Sequence, residues 1–260
     1  MTSVTRFWPL LTGIHRYEKT LSTRGRGKGV IIEAPILAYL IETRNGRILY
    51  DVGCDYNKIN TPELRKRFYE NDTFPFGPPE MTEEQKLTNR LKQMGLQPQD
   101  IDAVFCGHLH FDHGGGLCDM RHADIHVHRR ELAAAKDHED EAYFAEDFSG
   151  PYHWKLQEQE YDVCSGVRAI ETPGHTAGHM SMLIELPKGP PILLAGDAAD
   201  LQENLSDEVA PGLCWRNNEA LALDSIRKLK QLAGSTGADI WPNHDMQFFE
   251  HCRQYPQCYE

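Results

Sequence analysis

His108-Leu109-His110-Phe111-Asp112-His113-Gly114-Gly115-Gly116 packs three imidazoles and a carboxylate into six positions. The cluster follows directly on Ile101-Asp102-Ala103-Val104-Phe105-Cys106, an apolar run that reads as a buried strand. Groups that each turn charged near neutral pH are costly to pack together unless a divalent ion organises their lone pairs. Neutral imidazole nitrogens joined by a carboxylate oxygen suit zinc, whereas a glutamate at position 110 would have leaned toward an oxygen-rich iron site. The three glycines are expected to let the backbone turn tightly around the ion. A surface loop that happens to be rich in histidine is the plainer alternative. The feeding strand and the further histidines downstream weigh against it.

With 260 residues the chain can bury one large core, and a single domain over 1–260 is the expectation. A net charge of −12 lacks the basic footprint that nucleic acid or an anionic membrane requires. A nuclease is therefore disfavoured. No apolar run approaches a membrane span, and the first residues lack a signal-peptide core before His15 and Arg16, so a cytoplasmic location is expected. Seven scattered cysteines without a Cys-x-x-Cys pair read as reduced thiols.

Upstream of the cluster, Val30-Ile31-Ile32, Ile36 to Ile41 and Ile48-Leu49-Tyr50 read as successive strands, with an Asn45-Gly46 turn before the last. Asp51 follows at the strand end, where a partner for a metal-bound imidazole is the first reading. Pro62 to Tyr69 reads as a short helix. The proline-rich Phe74-Pro75-Phe76-Gly77-Pro78-Pro79 reads as a loop whose aromatics either cover a substrate or clasp the fold. Thr82-Glu83-Glu84 opens a helix carrying Leu87, Leu91 and Met94 and ending at Gly95.

Downstream, Ile125-His126-Val127-His128 alternates like a strand and Arg129 to Lys136 reads as a helix. His122, His126 and His128 do not converge as a second site would. Residues 137–162 mix acids and aromatics without periodicity, which suggests an insertion that could act as a lid. The first pattern then recurs. Val167-Arg168-Ala169-Ile170 delivers Thr172-Pro173-Gly174-His175-Thr176-Ala177-Gly178-His179, Ile192 to Ala195 delivers Gly196-Asp197, and Ala238 to Trp241 delivers Pro242-Asn243-His244-Asp245. Met180 to Leu186 reads as a strand paired with Ile192 to Ala195. Glu219 to Leu232 is an amphipathic helix with Ala222, Ile226 and Leu229 on one side.

Two halves of strands followed by helices predict two mixed β-sheets packed face to face with helices outside, an αββα sandwich of the α+β class. Loops at one edge would bring His108, His110, Asp112, His113, His175, Asp197 and His244 together. These are too many donors for one tetrahedral zinc. Two ions sharing a carboxylate, with a bridging hydroxide as nucleophile, fit better.

At these residues the sequence resembles the metallo-β-lactamase superfamily, and within it the N-acyl-homoserine lactone lactonases. The resemblance rests on His-x-His-x-Asp-His, Thr-Pro-Gly-His-Thr-x-Gly-His, Gly-Asp and the terminal His-Asp in order, with Met81 to Glu84 and Ala220 to Leu232 beside them. It implies that His108, His110 and His175 hold one Zn2+, that Asp112, His113 and His244 hold a second, and that Asp197 bridges them. Other divalent transition metals are compatible. It also implies that Asp51 and His179 support the ligands and that Phe111 lies beside the substrate, a small-molecule lactone; in hydrolytic ring opening Asp112 is then expected to act as general acid for the leaving alkoxide.

One departure stands out. The lactonases carry a tyrosine three residues after the bridging aspartate, where its hydroxyl binds the lactone carbonyl, and this chain reads Asp197-Ala198-Ala199-Asp200. An ionised Asp200 cannot donate that hydrogen bond. A lid residue could substitute, Asp200 could be protonated, or the substrate could differ. Thioester or β-lactam hydrolysis on the same centre is the second enzyme reading, and a non-catalytic metal-binding homologue is the reading from another class. Oligomeric state is left open, a homodimer included.

Overall fold

The computed structural model describes residues 2–260. Among these residues the strands are β1 (Val4–Glu18), β2 (Ile31–Thr43), β3 (Gly46–Tyr50), β4 (Ala103–Phe105), β5 (Asp124–His128), β6 (His153–Gln157), β7 (Tyr161–Cys164), β8 (Val167–Glu171), β9 (Met180–Ile184), β10 (Ile192–Leu194) and β11 (Asp239–Trp241). They form two sheets, one in the order β1-β2-β3-β4-β5-β6 and the other β11-β10-β9-β8-β7. Both are mixed: β1, β2 and β3 run antiparallel and β3 to β6 parallel, while only β10 and β11 are parallel in the second sheet.

The side-chain alternation of β2 shows how the layers are built. Tyr39 and Ile41 point toward the second sheet and pack with Tyr50, Met182 and Trp241, whereas Ala38 and Leu40 point outward and pack with Leu87 and Leu91 of the helix Leu87–Gln93. On the far side, Ile170, Leu183 and Leu193 meet Ile226 and Leu229 of the helix Glu219–Thr236. The result is helix, sheet, sheet, helix, as the sequence predicts. That last helix starts where Asn218 accepts the Leu221 N–H and stops at Gly237, whose φ of +71° is a left-handed cap.

Three expectations change. The two runs read between residues 30 and 41 are one strand passing through Pro35. At that point β2 has only β1 beside it, since β3 pairs from Tyr39 onward, so the missing N–H breaks no ladder. Residues 137–162 are less of a bare insertion than expected, because they contain the helix Ala145–Phe148 and the outermost strand β6. The helix expected from Thr82 is split into a single 3-10 turn, Glu83–Gln85, closed by a Thr82/Gln85 capping box, followed by Leu87–Gln93.

The histidines set aside as ligands have other partners. His122 bonds the Ile101 carbonyl, His126 the Tyr161 hydroxyl, and His128 accepts the Arg130 N–H that opens its helix. All seven cysteines are free thiols. No described helix is long and apolar enough to cross a membrane.

Candidate metal centre

Every one of the seven expected ligands lies just beyond the carboxyl end of a strand. The loop after β4 carries His108 and His110 and then a helical turn, Phe111–Gly114, that presents Asp112 and His113. The loop after β8 carries His175, a single turn after β10 carries Asp197, and the loop after β11 carries His244. The first sheet thus contributes four side chains and the second three, and they meet at the common edge.

The meeting is close. Donor atoms of His108, His110 and His175 fall within 4.8 Å of one another, as do those of Asp112, His113 and His244. Asp197 stands between the two groups. Its Oδ2 is 3.7 Å from His108 Nε2 and 3.4 Å from His175 Nε2, and its Oδ1 is 3.3 Å from both His113 Nε2 and His244 Nε2. Asp112 Oδ2 lies 3.7 Å from His113 Nε2 and 3.8 Å from His244 Nε2. Two donors about 2.1 Å from a tetrahedral ion stand roughly 3.4 Å apart, so these separations match a shared cation better than direct hydrogen bonds.

Charge and burial point the same way. Burial opposes ionisation of Asp197, yet His113, His244, His108 and His175 outweigh it and hold the carboxyl well below the usual carboxylate range. Burial likewise opposes protonation of His244, but Asp197 and Asp200 overcome it and push the imidazole up to about 10. His113 is also raised, against burial, by Asp197, Asp112 and Asp51. Burial, helped by the neighbouring imidazoles, takes His108 well below its ordinary value and His175 down to about 4. The acids therefore demand positive charge at the centre, while His108 and His175 stay neutral with lone pairs to give.

Supporting contacts fix the ring orientations. Asp51 Oδ2 pairs with His113 Nδ1 at 2.8 Å, and His244 Nδ1 bonds the Pro35 carbonyl at 2.9 Å. His179 holds no ligand position: its Nε2 accepts the Asp197 N–H at 2.9 Å and its Nδ1 faces the Thr172 hydroxyl. The glycines act otherwise than expected. Gly114 and Gly115 have ordinary right-handed backbone angles, so no left-handed turn requires them. What they permit is close approach: a Cβ on Gly115 would lie 2.5 Å from Asp55 N, and one on Gly116 2.3 Å from the Val52 carbonyl oxygen.

Sequence reasoning missed three contributors. Glu131 is fully buried, with one oxygen taking the Leu109 N–H and the Tyr143 hydroxyl, and the other the Thr176 hydroxyl and the Gly178 N–H. It ties the His108–His113 loop to the His175 loop, but a glutamate in a helix's first turn reads as solvent-facing. Asn243 donates to Asp197 Oδ1 at 2.9 Å; its place beside His244 was the available signal. Asp140 Oδ2 reaches within 3.9 Å of His110 Nε2 from the segment read as a lid.

A cavity of about 390 Å³ opens onto the centre. Phe111 lines it, packed on Phe74 at 5.2 Å and Phe144 at 5.3 Å between ring centroids, so the proline-rich loop both clasps the fold and walls the cavity. Asp200 lines it too, buried beside Asp197 and His244 with Oδ1 unpartnered; burial first, then Asp197, push its carboxyl up to about 8.

The sequence profile of the metallo-beta-lactamase superfamily matches residues 32–244. The chain belongs to that superfamily. Among its relatives, an N-acyl homoserine lactonase from Bacillus sp is 36% identical over 231 residues, 88% of each chain, and N-acyl homoserine lactonase AttM from Azorhizobium caulinodans is 28% identical over 90% of this chain and 91% of its own. A solved N-acyl homoserine lactone hydrolase, with the product N-hexanoyl-L-homoserine bound at its catalytic metal center, superposes with a TM-score of 0.88 at 32% identity, covering 100% of both chains.

Membership of the metallo-β-lactamase superfamily implies a divalent metal site, and the residues present fit one. His108 Nε2 and His113 Nε2, both facing Asp197 between the two groups, are buried without a hydrogen-bond partner. Orphaned buried nitrogens carry a desolvation cost of about 1–3 kcal/mol each unless something occupies their lone pairs.

Proposed function

We propose that this chain, as one domain over residues 1–260, is a dinuclear zinc hydrolase that opens the ring of N-acyl-homoserine lactones, a quorum-quenching activity. The observation that carries it is the Asp197 carboxylate, whose two oxygens face two separate sets of ligands. His108, His110 and His175 would hold one cation, Asp112, His113 and His244 the other, with Asp197 shared. The superfamily's lactonases and their product-bound structures supply the substrate class.

Two such cations supply Lewis acidity and hydroxide at neutral pH. The side chains do the rest. Phe111 and Phe74 offer an apolar wall for the lactone and its acyl chain. Asp112, less deeply buried than the histidines, faces the cavity and carries the proton to the departing ring oxygen as general acid. Asp51 and His179 keep His113 and Asp197 aimed. The seven free thiols accord with a reducing, cytoplasmic setting.

Acid release from acyl-homoserine lactones of several chain lengths, followed with a pH indicator beside thioester and β-lactam controls, tests this reading. The expected result is lactone turnover that a chelator abolishes and zinc restores, with about two zinc per chain. Asp112→Asn and His110→Ala should each lose turnover. Full activity and metal content in either variant would exclude the assignment.

A further inference from the structure

The cavity's polar lining is dominated by groups that cannot give a neutral hydrogen bond to a substrate oxygen. The proposed ligands are committed to cations, and Glu139, Asp140 and Glu141 at the mouth bring carboxylates. Yet an ester carbonyl turning into an oxyanion calls for a donor beside it. Thr73 is engaged with Glu141. Of the neutral donors left, among them His15 and a protonated Asp200, Tyr17 is the one whose hydroxyl is held in place by a buried partner.

Tyr17 is the penultimate residue of β1 and lines the cavity together with Asp112, Asp197, Asp200 and His244. Its hydroxyl lies 2.9 Å from Ser22 Oγ, and the Ser22 side chain is fully buried. Asp200 presents a buried Oδ1 without a partner to the same space. Either hydroxyl of the Tyr17–Ser22 pair can be the donor, because each holds one proton and spare lone pairs. When Ser22 donates, the phenol proton is free.

We propose that Tyr17 is a catalytic donor: its phenol O–H bonds the scissile carbonyl oxygen of the bound substrate, while Ser22 fixes the ring's position against Asp200. The inference rests on the acyl-hydrolase reading above. The proton stays on Tyr17 throughout, and its hydrogen bond strengthens as the carbonyl oxygen gains negative charge. Burial, with Asp200, Asp197 and Asp112 adding to it, raises the phenol well above its ordinary value, so it remains a donor at any pH the enzyme meets.

The test compares zinc-loaded wild type with Tyr17→Phe and Ser22→Ala. It measures kcat and KM on whichever lactone, ester or thioester the wild type turns over, and calorimetric affinity for the uncleavable amide analogue of that substrate. Tyr17→Phe is expected to lower kcat about 10- to 1,000-fold, with KM changed less than about threefold. It should also weaken the analogue, with zinc content and melting temperature retained. Ser22→Ala is expected to show a smaller loss in the same direction. The inference is overturned if Tyr17→Phe keeps kcat and analogue affinity within about twofold, or if zinc and fold are lost together with activity. Wild type that hydrolyses esters or thioesters but no lactone would instead overturn the lactone reading, and Tyr17 is then judged on those substrates.

Discussion

Asp51 Oδ2 stands 2.8 Å from His113 Nδ1 while Oδ1 of the same carboxylate accepts the Gly107 N–H, also at 2.8 Å. One side chain thus aims an imidazole and pins the backbone that leads to His108. Asp51 does so from a left-handed φ of +58°, a conformation that aspartate tolerates better than most residues. Asp51→Ala should weaken divalent-metal binding about 10- to 100-fold, measured by competition with a chelator of known affinity. Unchanged affinity would mean that His113 keeps its aim without the carboxylate.

Glu131 joins the two ligand loops through four donors, two of them backbone N–H groups from opposite halves of the chain. Replacing it with alanine leaves those donors buried and unsatisfied. A stability loss of about 3 kcal/mol or more in urea titration is expected, together with reduced kcat as the loops separate. A loss under about 1 kcal/mol would show that the loops hold without it.

Beneath the aromatic wall, Lys58 Nζ pairs with Asp147 Oδ1 at 2.5 Å, both side chains buried, and the ammonium lies 4.4 Å from the Phe68 ring centroid. Lys58→Met strands a buried carboxylate and should cost about 3–5 kcal/mol, whereas Lys58→Met with Asp147→Leu should be close to neutral. Equal losses in the single and double variants would contradict this.

His15 supplies a pH dependence. Burial, more than any neighbouring charge, lowers its imidazole to about 4. The unfolded chain, at about 6.5, then binds the proton more readily than the folded one. The contribution of neutral His15 is present above pH 6.5 and lost as pH falls toward 4, by at most about 3 kcal/mol. Across that window the melting temperature of His15→Asn should fall less steeply than that of wild type. Parallel slopes would rule His15 out as a source of acid sensitivity.

Legibility in the sequence followed the strength of local signals. The convergence of the seven candidate side chains was readable because the second sheet repeats the plan of the first, a short apolar strand ending in histidine or aspartate, and those ends meet at one edge. β1 was not. Register shifts between Val4 and Arg6 and between Leu11 and Gly13 break its alternation, so the longest strand hid in a segment without a clear period. With it went His15 and Tyr17, two of the residues lining the cavity. β6 hid for another reason: Tyr152, Trp154 and Leu156 do alternate onto the core, but the run is only five residues long and stands among acids and aromatics that mask its period. Glu131 carried no local mark at all, because its partners come from loops that only the folded chain brings together.

The division of ligands between the two layers has a mechanical corollary. Four donors hang from one sheet and three from the other, so any ion they share acts as a non-covalent cross-link in a chain whose cysteines are all free. Fraying of either layer must then release the ion, which couples the two halves into one cooperative unit and makes resistance to unfolding rise and fall with the concentration of the free ion.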